Sequence, residues 1–270
     1  MILVPTDFSN AARAAAEYAA QLAAATKQSL LLFHAYMLPT PVSDLPYVMV
    51  TADALQEENE KMAAKEAQRL NNLYQVPVEW TVRIGVPSAE VDVLTEEKNI
   101  GWVVMGMKGE NGLEKLIGST TTNTLKKVKV PVIVVPEGCS FRPLQKIAFA
   151  TDFNPSLPQN VYDRIFELSE HFQSTLDVLH VSKQDELSSE EAAGKIRMSA
   201  VLSNVPHEYH EIQENKVVDG ILHYLEQQPA DLLVMVAQPH PFLEGLFHTS
   251  QTRKMAFNTP IPLLVIHQKH

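Results

Sequence analysis

Short apolar runs alternate along the chain with longer stretches whose apolar positions recur at helical spacing. The runs at 1–5, 29–35, 78–84, 101–106 and 131–135 are apolar almost throughout, the pattern of strands covered on both faces. Between them the spacing predicts four helices. The first is alanine-rich and spans 10–26, with Asp7 and Ser9 as candidate N-caps. The second spans 53–73, with Leu55, Met62, Leu70 and Leu73 at roughly helical spacing. The third begins after Pro87 with Ser88 as a candidate cap, and the fourth begins at Ser119. Strands alternating with helices predict a parallel, doubly wound sheet.

The pattern then repeats. Ile-Leu-Val-Pro-Thr-Asp-Phe at 2–8 returns as Ile-Ala-Phe-Ala-Thr-Asp-Phe at 147–153. Leu30-Leu31-Leu32-Phe33-His34 returns as Leu176-Asp177-Val178-Leu179-His180, and the run after Pro131 returns after Pro262. Ordered matches of this kind indicate a duplicated unit. The second set of strands is expected near 146–150, 175–181, 208–213, 231–236 and 262–266. The expected fold class is therefore α/β, with two tandem five-stranded parallel doubly wound domains, 1–138 and 144–270. Pro136 to Arg142 reads as the linker.

Charge and composition narrow the function. Hydrophobic residues make up 45% of the chain, enough for two cores, and the net charge is −10. An acidic chain without a basic cluster argues against nucleic acid or an anionic membrane as partner. Any phosphate must then be held mostly by backbone amides. No run is apolar over 18 residues, and the opening strand is not preceded by a leader pattern. A single cysteine, Cys139, forms no internal disulfide and fits a reducing cytoplasm, where it reads as a bystander in the linker.

In doubly wound sheets a ligand lies beyond the carboxyl ends of the strands, where the winding direction reverses. Two loops qualify. The one after the first strand carries Pro5-Thr6-Asp7, and Asp7 can accept from a ribose hydroxyl or help hold a metal. The one after the fourth strand carries Gly106-Met107-Lys108-Gly109, then Gly118-Ser119-Thr120 opening a helix. Gly106 and Gly109 would let backbone approach a bulky anion. Gly118, Ser119 and Thr120 would present amides and hydroxyls at a helix N-terminus, and Lys108 adds a positive charge. The alternative is that these glycines only make turns.

Other chemistry is weaker. Nine of the ten histidines follow residue 170. His207-Glu208-Tyr209-His210 lacks the i, i+4 spacing of a helical zinc motif, so no metal site is expected. No nucleophile has a recognisable setting, and His34 reads as structural. The proline-containing stretch 38–60 reads as a flap, a dimer contact or a surface loop.

The sequence resembles the universal stress protein family, in its tandem two-domain form. The resemblance rests on Leu3-Val4-Pro5-Thr6-Asp7-Phe8-Ser9, on Gly85-Val86-Pro87, on the glycine loop, and on Pro131-Val132-Ile133-Val134-Val135-Pro136. It implies an adenine-nucleotide alpha-hydrolase-like fold with the two halves packed as a pseudo-dimer through their last strands. It implies ATP, with Mg2+, held by Pro5, Thr6, Asp7 and Ala35 around adenine and ribose. Met105, Gly106, Lys108, Gly109, Gly118, Ser119 and Thr120 would surround ribose and phosphates. The family's loop has nine residues between its second and third glycines; here eight, Glu110 to Ile117, separate Gly109 from Gly118. The second half reads Ala237-Gln238-Pro239-His240 in place of the first glycines, and Pro239 removes an amide donor, so this half is expected to bind no ATP. The implied protein is a cytoplasmic, ATP-binding stress-response module rather than an enzyme, with association into a homodimer and unidentified protein partners. A nucleotide-free scaffold is the alternative.

Overall fold

The computed structural model describes residues 1–38, 52–107, 119–184, 186–237 and 251–268. In the first half the strands are β1 (Ile2–Pro5), β2 (Leu30–Tyr36), β3 (Val78–Ile84), β4 (Trp102–Met107) and β5 (Val132–Pro136). The helices between them are α1 (Asn10–Thr26), α2 (Ala52–Tyr74), α3 (Pro87–Glu97) and α4 (Ser119–Lys127). The second half repeats the order with β6 (Lys146–Ala150), α5 (Gln159–Phe172), β7 (Thr175–Ser182), α6 (Ser189–Val201), β8 (His207–Gln213), α7 (Val217–Gln227), β9 (Leu232–Ala237), α8 (Gln251–Asn258) and β10 (Leu263–His267).

All ten strands form one sheet in the order β3-β2-β1-β4-β5-β10-β9-β6-β7-β8. Each half is a parallel five-stranded sheet, and the halves join where β5 and β10 run antiparallel, with Val134 opposite Leu263 and Val132 opposite Val265. This is the pseudo-dimer the sequence implies. Two apolar layers follow from the alternation of side chains along the strands. One face, under α1, α2, α5 and α6, buries Ile2, Val4, Leu30, Val104, Ile147 and Phe149. The other, under α3, α4, α7 and α8, buries Leu3, Leu31, Val103, Val132, Leu233 and Leu263. Both layers run across the seam. Polar and aromatic contacts reinforce it: the Arg164 guanidinium lies 5.3 Å above the Trp102 ring, and Phe141 of the linker packs edge-on against Tyr18. His267 Nε2 donates to the Leu125 carbonyl at 2.7 Å, and burial pushes its imidazole below the usual histidine range.

Local chemistry departs from the sequence reading in three places. Ser9 alone caps α1, accepting from Ala12 N; Asp7 instead accepts from Ser9 N within its own turn. Ser88 does not cap α3, because Val86 takes the N-cap position, Pro87 opens the helix and Ser88 is buried within its first turn. On α2 the face turned inward is Asn59, Ala63, Glu66, Ala67 and Leu70, while Met62 and Leu73 are exposed. Small and polar residues line that face because α2 lies close over β2 and β3, and Arg69 bridges Glu66 and Glu17. No described helix is long and apolar enough to cross a membrane.

Candidate functional site

The winding reverses between β1 and β4, which lie side by side while their following helices cover opposite faces. The crevice at their carboxyl ends is where such a fold leaves room for a ligand. Its first wall is a turn built by its own side chains. Thr6 N donates to the Phe33 carbonyl at 2.8 Å, and the buried Thr6 hydroxyl accepts from Phe8 N at 3.0 Å. Asp7 Oδ1 accepts from Ser9 N at 3.0 Å, which holds the exposed carboxylate in place. Phe8 is left-handed, at φ 60°, a conformation that costs a bulky residue of order 1–3 kcal/mol. The turn tolerates it because the Phe8 ring lies 4.7 Å from the His34 ring, and His34 Nδ1 donates to the Thr6 carbonyl at 2.7 Å. His34 Nε2 lies 2.9 Å from Asn59 Oδ1, so both ring nitrogens are engaged and the residue acts as a brace.

Pro5 ends β1, and Ala35 sits half-buried near the end of β2. Met105 and Gly106 lie near the end of β4. The Met105 side chain is buried in the layer under α3 and α4. Gly106 is required by a neighbour: a Cβ there would stand 2.6 Å from the carbonyl carbon of Ala11 in the first turn of α1. The glycine thus admits a helix. Its carbonyl accepts from the Thr121 hydroxyl at 3.3 Å, tying β4 to α4. Ser119 and half-buried Thr120 open α4. Lys108, Gly109 and Gly118 lie outside the described residues, as do 39–51 of the 38–60 stretch and 238–250, which include Pro239, His240 and His248.

The second half copies the turn and changes its surroundings. Phe153 N donates to the Thr151 hydroxyl, Asn154 N to Asp152 Oδ1, and His180 Nδ1 to the Thr151 carbonyl at 3.1 Å. Phe153 repeats the left-handed backbone at φ 54°. Opposite it, the strand register puts Val236, not Ala237, in the place of Gly106: Ile2 lies against Trp102 as Ile147 lies against Leu232. The substitution fits a second change. Pro155 and Pro158 delay α5 until Gln159, so the helical turn that presses on Gly106 has no counterpart. Instead α6 crosses over the turn. A Cβ on Gly194 would stand 2.7 Å from the Phe153 carbonyl carbon, and Arg197 Nη1 donates to the Pro155 carbonyl at 2.6 Å.

Fold and crevice together define a tandem protein of the doubly wound nucleotide-hydrolase-like class. The universal stress protein family model matches residues 1–136 and again 143–267, and the chain belongs to that family. A universal stress protein of Methanocaldococcus jannaschii is 32% identical over 143 residues, which is 50% of this chain and 80% of the relative. A second from the same organism is 25% identical over 150 residues, 50% of this chain and 93% of the relative. The crystal structure of a universal stress protein from Archaeoglobus fulgidus shares the fold with a TM-score of 0.80 at 19% identity, over 99% of this chain and 98% of the other. A Pseudomonas aeruginosa protein of unknown function matches with a TM-score of 0.60 at 15% identity, over 98% and 92%.

Proposed function

We propose that the first half binds ATP in the crevice between β1 and β4, and that occupancy sets the conformation or partner choice of a regulatory module that is not a fast enzyme. One observation carries this reading. Asp7 stands exposed at the reversal point of the sheet, one carboxylate oxygen held by Ser9 N–H and the other without a partner among the described residues. A fixed, solvent-facing acceptor suits the hydroxyls of a ribose. Thr6 and Phe8 preset the turn around it, so little ordering remains at binding. The single carboxylate also fits magnesium, which is commonly held by one or two carboxylates together with phosphate oxygens. The phosphates themselves would rest on Gly109, Gly118, Ser119 and Thr120, with Lys108 as the charge.

The same geometry supports slow turnover. His34 is committed to Thr6 and Asn59 and has no free nitrogen to act as a base. In the second half, Val236 and the overlying α6 support the reading that nucleotide binding is confined to the first half. With β5 and β10 paired inside the chain, any homodimer would form through other surfaces. A cytoplasmic location belongs to the same reading.

A second reading is favoured by the short glycine loop and by the packing role of Gly106: a scaffold that binds no nucleotide. Nucleotide released when the purified protein is denatured, and absent from a folded Gly118→Ala variant, supports the first. Protein that releases none and takes up none with magnesium present supports the second. Turnover of ATP well above background, abolished by Asp7→Ala, would point to an enzyme instead.

A further inference from the structure

The second half carries an ionic cluster that the first half lacks, at the end of the sheet opposite the nucleotide crevice. Asp177 lies near the start of β7, and its side chain is only 5% exposed. The register sets Glu208 beside Asp177 and His210 beside Leu179, which puts all three side chains on one face. Tyr224 of α7 and Lys146, which opens β6, close the group. The equivalent positions in the first half, read from the same registers and helix positions, are Met1, Leu31, Glu79, Thr81 and Leu94. Leu31 and Leu94 are buried core residues there. A core leucine has thus become a buried carboxylate, a replacement that costs stability unless partners satisfy the charge.

The partners are arranged asymmetrically. Asp177 Oδ2 accepts from the Tyr224 hydroxyl at 2.9 Å and pairs with Lys146 Nζ at 3.3 Å. Burial and the Asp177 carboxylate push the Tyr224 hydroxyl above its usual range, so it stays protonated and donates. Oδ1 faces a different group: His210 Nε2 at 3.7 Å, too far for a hydrogen bond. That nitrogen is buried and has no hydrogen-bond partner among the described residues. It also lies 3.9 Å from Glu208 Oε2, and the three ligand atoms fall within 4.8 Å of one another. The His210 ring is braced against Tyr224, with centroids 4.9 Å apart.

From this geometry we infer that Asp177 Oδ1, Glu208 and His210 Nε2 form a site for a divalent transition metal of the zinc type, with water as the fourth ligand. Two carboxylates and an imidazole are a ligand set that zinc accepts. The 3.7 and 3.9 Å separations approach the edge of a tetrahedron with bonds of about 2.1 Å, roughly 3.4 Å, so closure needs only a small side-chain rotation. Glu208 is exposed, which leaves solvent free to supply the water. His207, the other imidazole of the segment, takes no part, since its Nδ1 donates to the Val205 carbonyl. His210 Nε2, the Asp177 carboxylate oxygen and the exposed Glu208 carboxylate would then all serve one ion. Lys146 opposes the ion electrostatically and holds its affinity down. The site is independent of the nucleotide reading.

The test is calorimetric titration of the full chain, stripped of metal by a chelator, with zinc chloride, and cobalt(II) absorption as a check on four-coordinate geometry. One equivalent should bind to wild type. His210→Ala and the exposed Glu208→Ala, each shown to be folded by circular dichroism, should weaken that equivalent at least tenfold. Lys146→Met, which installs the residue type of the first half, should bind several-fold more tightly. No zinc uptake by wild type, unchanged affinity in His210→Ala, or weaker binding in Lys146→Met would overturn the assignment.

Discussion

Gly106 at the end of β4 and Ala11 in the first turn of α1 meet backbone to backbone, leaving no room for a Cβ between them. The contact fixes where α1 begins relative to the crevice, and so where the Asp7 turn stands. Gly106→Ala must push α1 off the sheet. The expected cost is about 1–3 kcal/mol of unfolding free energy, as for other overpacked sites. Urea unfolding measures it; a variant as stable as wild type would show that the approach relaxes freely.

Tyr18 points the other way. Its hydroxyl is buried without a hydrogen-bond partner among the described residues, beneath the Phe141 ring of the linker. A lone buried hydroxyl costs about 1–3 kcal/mol. Tyr18→Phe keeps the ring and removes the orphan, so the variant should melt at or above the wild-type temperature. A clear loss of stability would mean the hydroxyl is satisfied by water.

The seam should weaken in mild acid. His267 is held neutral by burial, its folded pKa depressed below that of the unfolded chain. As pH falls through about 6.5 the unfolded state takes up this proton before the folded state does, and stability declines. The window runs from there down to the depressed folded pKa. His267→Gln can still donate to the Leu125 carbonyl but does not titrate, so its unfolding free energy should fall less between neutral and mildly acidic pH. Identical pH profiles for the two proteins would assign the acid sensitivity elsewhere.

The strands were legible in the sequence to within a residue or two; the inner ones are covered on both faces and so are largely apolar, while the edge strands β3 and β8 are only partly buried and mix polar with apolar residues. Helix starts were less so. Asp7, Ser9 and Ser88 are all competent caps, and which of them caps depends on turn geometry and on Pro87 occupying the first helical position. The glycine loop was the harder case. Sequence reveals that Gly106 lacks a side chain but not whether a ligand or a helix fills the space; only the register and the early start of α1 decide it. The same register corrected its counterpart to Val236. The Asp177 cluster was hidden for a related reason, since Asp177, Glu208 and His210 lie on two strands and converge only through parallel pairing.

On the proposed reading, one nucleotide binds per chain, in the first half. Its most direct test is calorimetric titration of ATP with magnesium into nucleotide-free wild type and into Asp7→Ala and Asp152→Ala, the two equivalent aspartates. One equivalent should bind to wild type, weaken at least tenfold in Asp7→Ala, and remain unchanged in Asp152→Ala. Folded wild type that takes up no ATP, or binding lost in Asp152→Ala and kept in Asp7→Ala, would rule out a nucleotide site in the first half.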